Sequence, residues 1–131
     1  MTQENLASEY QKLWVSDDYQ EYRNWTSTER LQRHLELNQL IEEPHQTLEH
    51  KADLYREQGL LFRSEDNYEE AIACYDQALT IKPDLYEALY FKGNVLSKLG
   101  RREEAIAAYD QALAIKPDYH EAIHNKGNAL F

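Results

Sequence analysis

The sequence predicts an all-α protein built from stacked helical hairpins. Fourteen of the sixteen residues in segment 69–84 recur 34 residues later in segment 103–118. A repeat of this length indicates structural units that must stack, because one unit cannot bury its apolar face alone. Pro83 and Pro117 stand at the same position of the two copies, and neither can continue a helix. These observations favour a helical solenoid, an architecture that usually binds other molecules and rarely catalyses reactions.

Residues 1–51 do not follow the repeat, but they too are predicted to be helical. Four large apolar residues near the amino terminus fall on one side of a first helix: Leu6, Tyr10, Leu13 and Trp14. The segment from Asp17 to Trp25 is predicted to be a turn or a short helix.

A longer helix is predicted over residues 27–43. Thr26 and Glu29 have the spacing of a capping box, and Pro44 closes the segment. The apolar stripe of this helix is predicted to consist of Leu31, Leu35, Leu40 and Ile41. We expect the helix to pack on the first repeat as an amino-terminal cap.

The repeats are predicted to occupy residues 52–131 as units 52–85 and 86–119 and a truncated third unit, 120–131. Each full unit is a helix, a turn and a second helix, with the turns at Asp66-Asn67 and at Gly100. Three aspartates are followed by Glu three residues later, which predicts capping boxes starting at Asp66, Asp84 and Asp118.

A glycine lies in the middle of the first helix of each unit: Gly59, Gly93 and Gly127. Glycine in a helix costs about 1 kcal/mol relative to alanine. Three glycines in register therefore predict helix contacts that are too close for a side chain.

The combined pattern resembles the tetratricopeptide repeat (TPR) family. The family signature of an apolar residue, Gly, apolar residue, Ala, aromatic residue, Ala and Pro is matched by Tyr55, Gly59, Phe62, Ala71, Tyr75, Ala78 and Pro83, and again 34 residues later. The chain departs from the family before each glycine, where Gln58, Lys92 and Lys126 replace the frequent Leu. The resemblance implies a right-handed helical-hairpin solenoid whose first helices line a concave groove.

The resemblance also implies a peptide-binding groove. Its residues, carried over position by position, are Arg56, Leu60, Arg63, Tyr90, Phe91, Asn94, Lys98, His124, Asn125 and Asn128. We expect at least one of Tyr90 and Phe91 to project into the groove, since exposed aromatic residues often anchor a partner. The alternative for Phe91 is packing on the preceding hairpin.

Two further properties of the groove follow from the same positions. Asn94 and Asn128, one repeat apart, are placed to hydrogen-bond an extended peptide. The cations Arg56, Arg63 and Lys98 would suit a carboxylate or an acidic peptide.

The third unit stops within its first helix, which leaves the face of Ile123, Gly127 and Leu130 without a partner helix. Either the chain is a fragment of a longer array, or something else covers this face. The alternative function is accordingly assembly, in which copies associate through this face or the amino-terminal segment occupies the groove.

Composition excludes several other functions. The net charge of −10 is divided equally, −5 in residues 1–51 and −5 in residues 52–131, so neither part carries the basic patch that nucleic acid or an anionic membrane requires. No disulfide, metal motif, cofactor motif or leader is predicted, and Cys74 matches Ala108 as a small packed residue. We expect a cytoplasmic, non-enzymatic protein with a protein or peptide partner.

Overall fold

The computed structural model describes residues 20–130, and these residues form seven α-helices and no strand. The helices are α1 (Gln20–Arg23), α2 (Ser27–Glu42), α3 (Leu48–Ser64), α4 (Tyr68–Ile81), α5 (Tyr86–Lys98), α6 (Arg102–Ile115) and α7 (His120–Leu130). The first helix predicted around Leu6 to Trp14 lies outside the described residues. None of the helices in this range has the length and apolar character to cross a membrane.

The hairpins stack in chain order, as the repeat predicts. Helix α3 packs on α4 and α5 packs on α6, while α4 and α6 each contact the first helix of the next unit. The first helices α3, α5 and α7 also touch in succession. A core of buried side chains runs through the stack from Leu37 to Ala129. The prediction of an all-α helical solenoid is therefore confirmed.

The turn inside each hairpin differs from the predicted capping box. Asp66 has a positive φ of 61°, and Gly100, 34 residues later, has a φ of 78°. The amide of Asn67 donates to the Phe62 carbonyl at 3.0 Å, and that of Asp66 donates to the Arg63 carbonyl at 3.1 Å. This pair of bonds is a Schellman motif, so Asp66 belongs to the end of α3 and does not cap α4. The second hairpin repeats the motif around Gly100.

The turns between hairpins also correct a prediction. The amide of Leu85 donates to the Lys82 carbonyl at 3.1 Å, which makes Pro83 and Asp84 the central residues of a β-turn. Helix α5 then begins after Leu85, without a side-chain cap. The amide of Tyr119 closes the equivalent turn around Asp118, and the predicted capping boxes at Asp84 and Asp118 were wrong.

Two of the three helical glycines are contact points between helices. A Cβ built on Gly59 would place three ring atoms of Tyr75 within 3.0 Å, and one built on Gly93 would place three ring atoms of Tyr109 equally near. The close approach predicted from the sequence is present in both full hairpins.

The lysines that depart from the family pattern connect successive hairpins. The Nζ atom of Lys92 lies 2.6 Å from an Asp76 carboxylate oxygen, and Lys126 contacts Asp110 at the same distance. Gln58 holds the equivalent position in the first unit, and its amide donates to Asn38 of α2 at 2.7 Å.

Helix α2 packs on α3, with the predicted capping box at Thr26 and Glu29 in place. Its buried apolar residues are Leu37 and Ile41. Leu31 and Leu35 are 60% and 53% exposed, and Leu40 is exposed as well, so the predicted apolar stripe was wrong except at Ile41.

Polar side chains of α2, in place of the predicted apolar stripe, make much of its contact with α3. The nearly buried carboxylate of Glu57 accepts hydrogen bonds from the Tyr22 hydroxyl at 2.9 Å and from Arg33 Nη2 at 2.6 Å. Burial lowers the pKa of Arg33, but the charge and hydrogen bonds of Glu57, together with the hydrogen bond to Glu36, outweigh burial and leave that pKa raised. His34 lies 2.6 Å from Glu65 and stacks on Phe62. These pairs determine which side of α2 faces the repeats.

Candidate functional site

The predicted groove positions of the first unit are buried in the structure. Leu60 belongs to the core, and the Arg56 guanidinium lies 2.5 Å from a carboxylate oxygen of Glu87, in the next unit. Arg63 lies 3.5 Å from Asp66 and over the ring of Tyr68. Both arginines thus pair with carboxylates of the same chain, which was not expected of groove cations.

The two aromatic groove residues of the second unit are also largely buried, with 8% of Tyr90 and 4% of Phe91 exposed. The Phe91 ring lies 5.9 Å from the Tyr75 ring in α4, between centroids, so Phe91 packs on the preceding hairpin, which was the alternative to an exposed position. Tyr90 lies 5.0 Å from Tyr119, between the ring centroids. The expectation of an exposed aromatic anchor is therefore corrected, because the aromatic residues of adjoining hairpins pack on one another.

Tyr90 also belongs to a hydrogen-bonded cluster that joins α5, α6 and α7. The Asn125 amide donates to the Tyr90 hydroxyl at 3.0 Å and to Asn94 Oδ1 at 2.9 Å, and the Tyr109 hydroxyl donates to the same Asn94 oxygen at 2.6 Å. Asn94 Oδ1 thus accepts two hydrogen bonds from within the chain, while its place in an asparagine ladder with Asn128 stays a prediction. We call Tyr90, Asn94, Tyr109 and Asn125 the amide–tyrosine cluster.

The first hairpin lacks this arrangement because Leu60 occupies the position of Asn94. The hydroxyl of Tyr75, which matches Tyr109, is buried and has no hydrogen-bond partner among the described residues. Burial raises the pKa of both phenols.

Removing the hydroxyl groups of Tyr75 and Tyr109 should have unequal effects on the free energy of unfolding. Tyr109→Phe breaks the bond to Asn94 and is expected to lower the free energy of unfolding by about 1 kcal/mol. Tyr75→Phe removes an unsatisfied polar group and should be neutral or stabilising. Urea denaturation of both variants measures the difference, and equal losses would contradict this account of the two hairpins.

Three predicted groove residues are exposed: Lys98 in α5, and His124 and Asn128 in α7. Their predicted positions lie on the same side of the first helices as the amide–tyrosine cluster. Asn128 also lines an open cleft of about 590 Å³ that is bordered by the end of α5 and the start of α6. We call Lys98, His124 and Asn128 the polar groove patch.

The predicted self-association face is open to solvent. Ile123 is 47% exposed and Leu130 is 57% exposed. A Cβ built on Gly127 would meet no atom within 4 Å, in contrast to the crowded Gly59 and Gly93. Ile123, Gly127 and Leu130 therefore form a face with a vacant notch at the glycine, which we call the open α7 face.

The chemistry of catalysis is not evident in the described part of the chain. No group of three His, Cys, Asp or Glu residues within residues 20–130 is placed to hold a metal ion. Cys74 is buried against Gln58, and burial raises the pKa of its thiol to about 12, so it is the packed residue predicted.

Comparison with known proteins agrees with this architecture. The family model described as TPR repeat matches residues 59–100 and 93–131. Together these ranges cover more than half of the sequence, and the chain belongs to the TPR family. The family and the fold together support a protein–protein interaction module.

Among solved structures, the crystal structure of MamA is similar to the chain, with 28% sequence identity and a TM-score of 0.59. The alignment covers 60% of this chain and 46% of the MamA chain, so the chain spans less than half of that protein's length. No curated protein matches the sequence.

Proposed function

We propose that the chain is a non-enzymatic interaction module that binds a peptide or a helix of a partner protein through the polar groove patch. The observation that carries the proposal is that Lys98, His124 and Asn128 are exposed on the side of α5 and α7 that the family uses as a groove. None of the three is needed for the contacts that hold the hairpins together. Asn94 and Asn125 of the amide–tyrosine cluster are partly exposed on the same two helices.

The charges on this surface favour a particular kind of partner. Arg56 pairs with Glu87, and Arg63 pairs with Asp66. Of the three cations that the sequence suggested for binding an acidic peptide, Lys98 is the exposed one. Recognition through His124 and Asn128 uses hydrogen bonds, which suit main-chain groups and neutral polar side chains. We therefore propose a polar segment with few acidic residues as the partner. A cytoplasmic location and the lack of nucleic-acid binding remain predictions.

The test compares two triple variants as bait in affinity capture. Lys98→Ala, His124→Ala and Asn128→Ala together remove the polar groove patch. The matched control replaces the exposed residues Glu70, Gln77 and Gln111, which lie on the second helices α4 and α6, by Ala. Proteins retained by the wild type and the control but lost by the groove variant would support the proposal. Equal retention by all three baits would contradict it.

A second candidate function is assembly through the open α7 face. It is favoured by the exposed Ile123 and Leu130 side chains on either side of the vacant Gly127 notch. Solenoids need terminal repeats with a polar outer face for solubility, so an uncovered apolar face favours association.

A further inference from the structure

We propose that Asn94 and Asn125, called here the asparagine pair, bind a neighbouring N–H and C=O of the partner and discriminate against a carboxylate. These two groups come either from one residue of an extended main chain or from the side-chain amide of an Asn or Gln. The inference rests on the function proposed above and specifies the chemical group that the groove recognises.

The hydrogen bonds that the two side chains already make determine what they can still bind. Asn125 Nδ2 donates one bond to the Tyr90 hydroxyl at 3.0 Å and one to Asn94 Oδ1 at 2.9 Å. Asn94 Oδ1 accepts a second bond from the Tyr109 hydroxyl at 2.6 Å. Both amide hydrogens of Asn125 and both lone pairs of Asn94 Oδ1 are therefore in use.

The unused groups of the asparagine pair are one acceptor, Asn125 Oδ1, and one donor group, Asn94 Nδ2. Neither atom hydrogen-bonds to the residues that the structure describes, and neither atom is buried. Turning both amides over exchanges the two roles but keeps the result, because the bond between the amides always uses one donor and one acceptor. In either orientation the pair offers one donor and one acceptor to a partner.

The asparagine pair adjoins the polar groove patch. Asn94 precedes Lys98 by four residues on α5, and Asn125 precedes Asn128 by three residues on α7, so each of these two sets lies on one face of its helix. The hydrogen bond between the two amides holds them side by side across α5 and α7. A segment bound by the patch therefore passes next to the donor and the acceptor.

This arrangement selects an amide over a charged group. A carboxylate offers only acceptors, so one of its oxygens would face the acceptor of the pair and gain no bond. An ammonium group offers only donors and would leave the donor of the pair unpaired. Leaving a desolvated donor or acceptor unpaired costs more than a typical hydrogen bond contributes, which makes such sites selective. The N–H and C=O of one extended residue point the same way and satisfy both groups, as does the edge of a side-chain amide.

The pair also sets the register of the partner segment. One repeat earlier, Leu60 stands at the position of Asn94, and Phe91 stands at the position of Asn125. Both residues belong to the apolar core and offer no hydrogen bond. Within the described part of the groove, the N–H and C=O are therefore bound at the junction of α5 and α7 and not at that of α3 and α5.

Peptides selected from a random library on the full 131-residue chain test the proposal. In each selected peptide, single N-methylation removes one main-chain N–H, and single Asn→Asp or Gln→Glu changes turn a side-chain amide into a carboxylate. We expect one such change to weaken binding by at least about tenfold. A loss on N-methylation identifies the main chain as the source of the amide, and a loss on the side-chain change identifies Asn or Gln.

The same peptides are then measured on variants of the asparagine pair. On Asn125→Ala the sensitive peptide change should have little further effect, because its partner atom is already absent. Asn125→Asp keeps the shape of the side chain but makes Asn94 turn over to donate to it, so the pair then presents two acceptors. Binding of the unchanged peptide should fall by at least about tenfold. Gln111→Glu, the matched control on α6, makes the same amide-to-carboxylate change and should leave binding unchanged.

The outcomes separate this inference from the function it rests on. Peptides that need the polar groove patch but bind equally to the wild type and to Asn125→Asp would overturn the inference and leave the proposed function standing. A sensitive peptide change that acts equally on the wild type and on Asn125→Ala would do the same. A chain that selects no peptide, or only peptides that ignore the patch, would overturn both.

Discussion

Gly59→Ala is expected to lower the free energy of unfolding by about 2 kcal/mol. Overpacking a well-filled contact costs about 1 to 3 kcal/mol, and the better helix propensity of alanine returns only about 1 kcal/mol. The cost should lie toward the upper end because the Tyr75 ring, which the new methyl group would strike, is fully buried. Gly93→Ala should behave in the same way through Tyr109.

The matched control for this prediction is Gly127→Ala. Its methyl group meets no neighbour, so only the gain in helix propensity remains, and stability should rise by up to about 1 kcal/mol. Urea unfolding should be measured at low protein concentration, because loss of self-association would otherwise lower the apparent stability of this variant. If Gly127→Ala lost as much stability as Gly59→Ala, helix α7 would have to be packed as closely at its glycine as α3 and α5 are.

Arg33→Met is expected to destabilise the protein by about 3 kcal/mol, because it leaves the buried carboxylate of Glu57 without its cationic partner. Arg33 donates to that carboxylate through both Nε and Nη2, at 2.9 and 2.6 Å. The Tyr22 hydroxyl alone cannot replace the lost charge. Thermal unfolding followed by circular dichroism would measure the loss.

The control is Arg23→Met, which removes an exposed ion pair with Asp66 and should cost less than about 1 kcal/mol. Adding Glu57→Leu to Arg33→Met should recover much of the lost stability, since the unpaired charge is then absent. A double variant as unstable as Arg33→Met would show that the packing of Arg33, and not its charge, holds α2 on α3.

The hairpin stack could be predicted from the sequence because its signals are local and repeated. Pro83 and Pro117 mark the turns between hairpins, and the helical glycines mark the close contacts. The capping boxes predicted at Asp66, Asp84 and Asp118 were wrong because Asp-x-x-Glu also fits an aspartate that lies two residues before the helix. The equivalence of Asp66 with Gly100 is a signal in the sequence that predicts a positive φ at Asp66.

The candidate site was harder to predict because it depends on contacts between hairpins. Tyr90 and Phe91 are extra aromatic residues on one helix, and only the positions of Tyr75 and Tyr119 in neighbouring elements bury them. The orientation of α2 was missed for a related reason. Leu31 and Leu35 form a regular stripe, but the ion pair of Arg33 with Glu57 and the contact of His34 with Glu65 outweigh it.

The most direct test of the interaction function is site-specific photocrosslinking from the polar groove patch. A photoreactive aromatic amino acid is placed at position 128 or, as the control, at position 111 on α6. The account predicts covalent partner adducts from position 128, lost on adding Lys98→Ala and His124→Ala, and none from position 111. Adducts from position 111 alone, or equal adducts from both positions, would contradict binding through the groove.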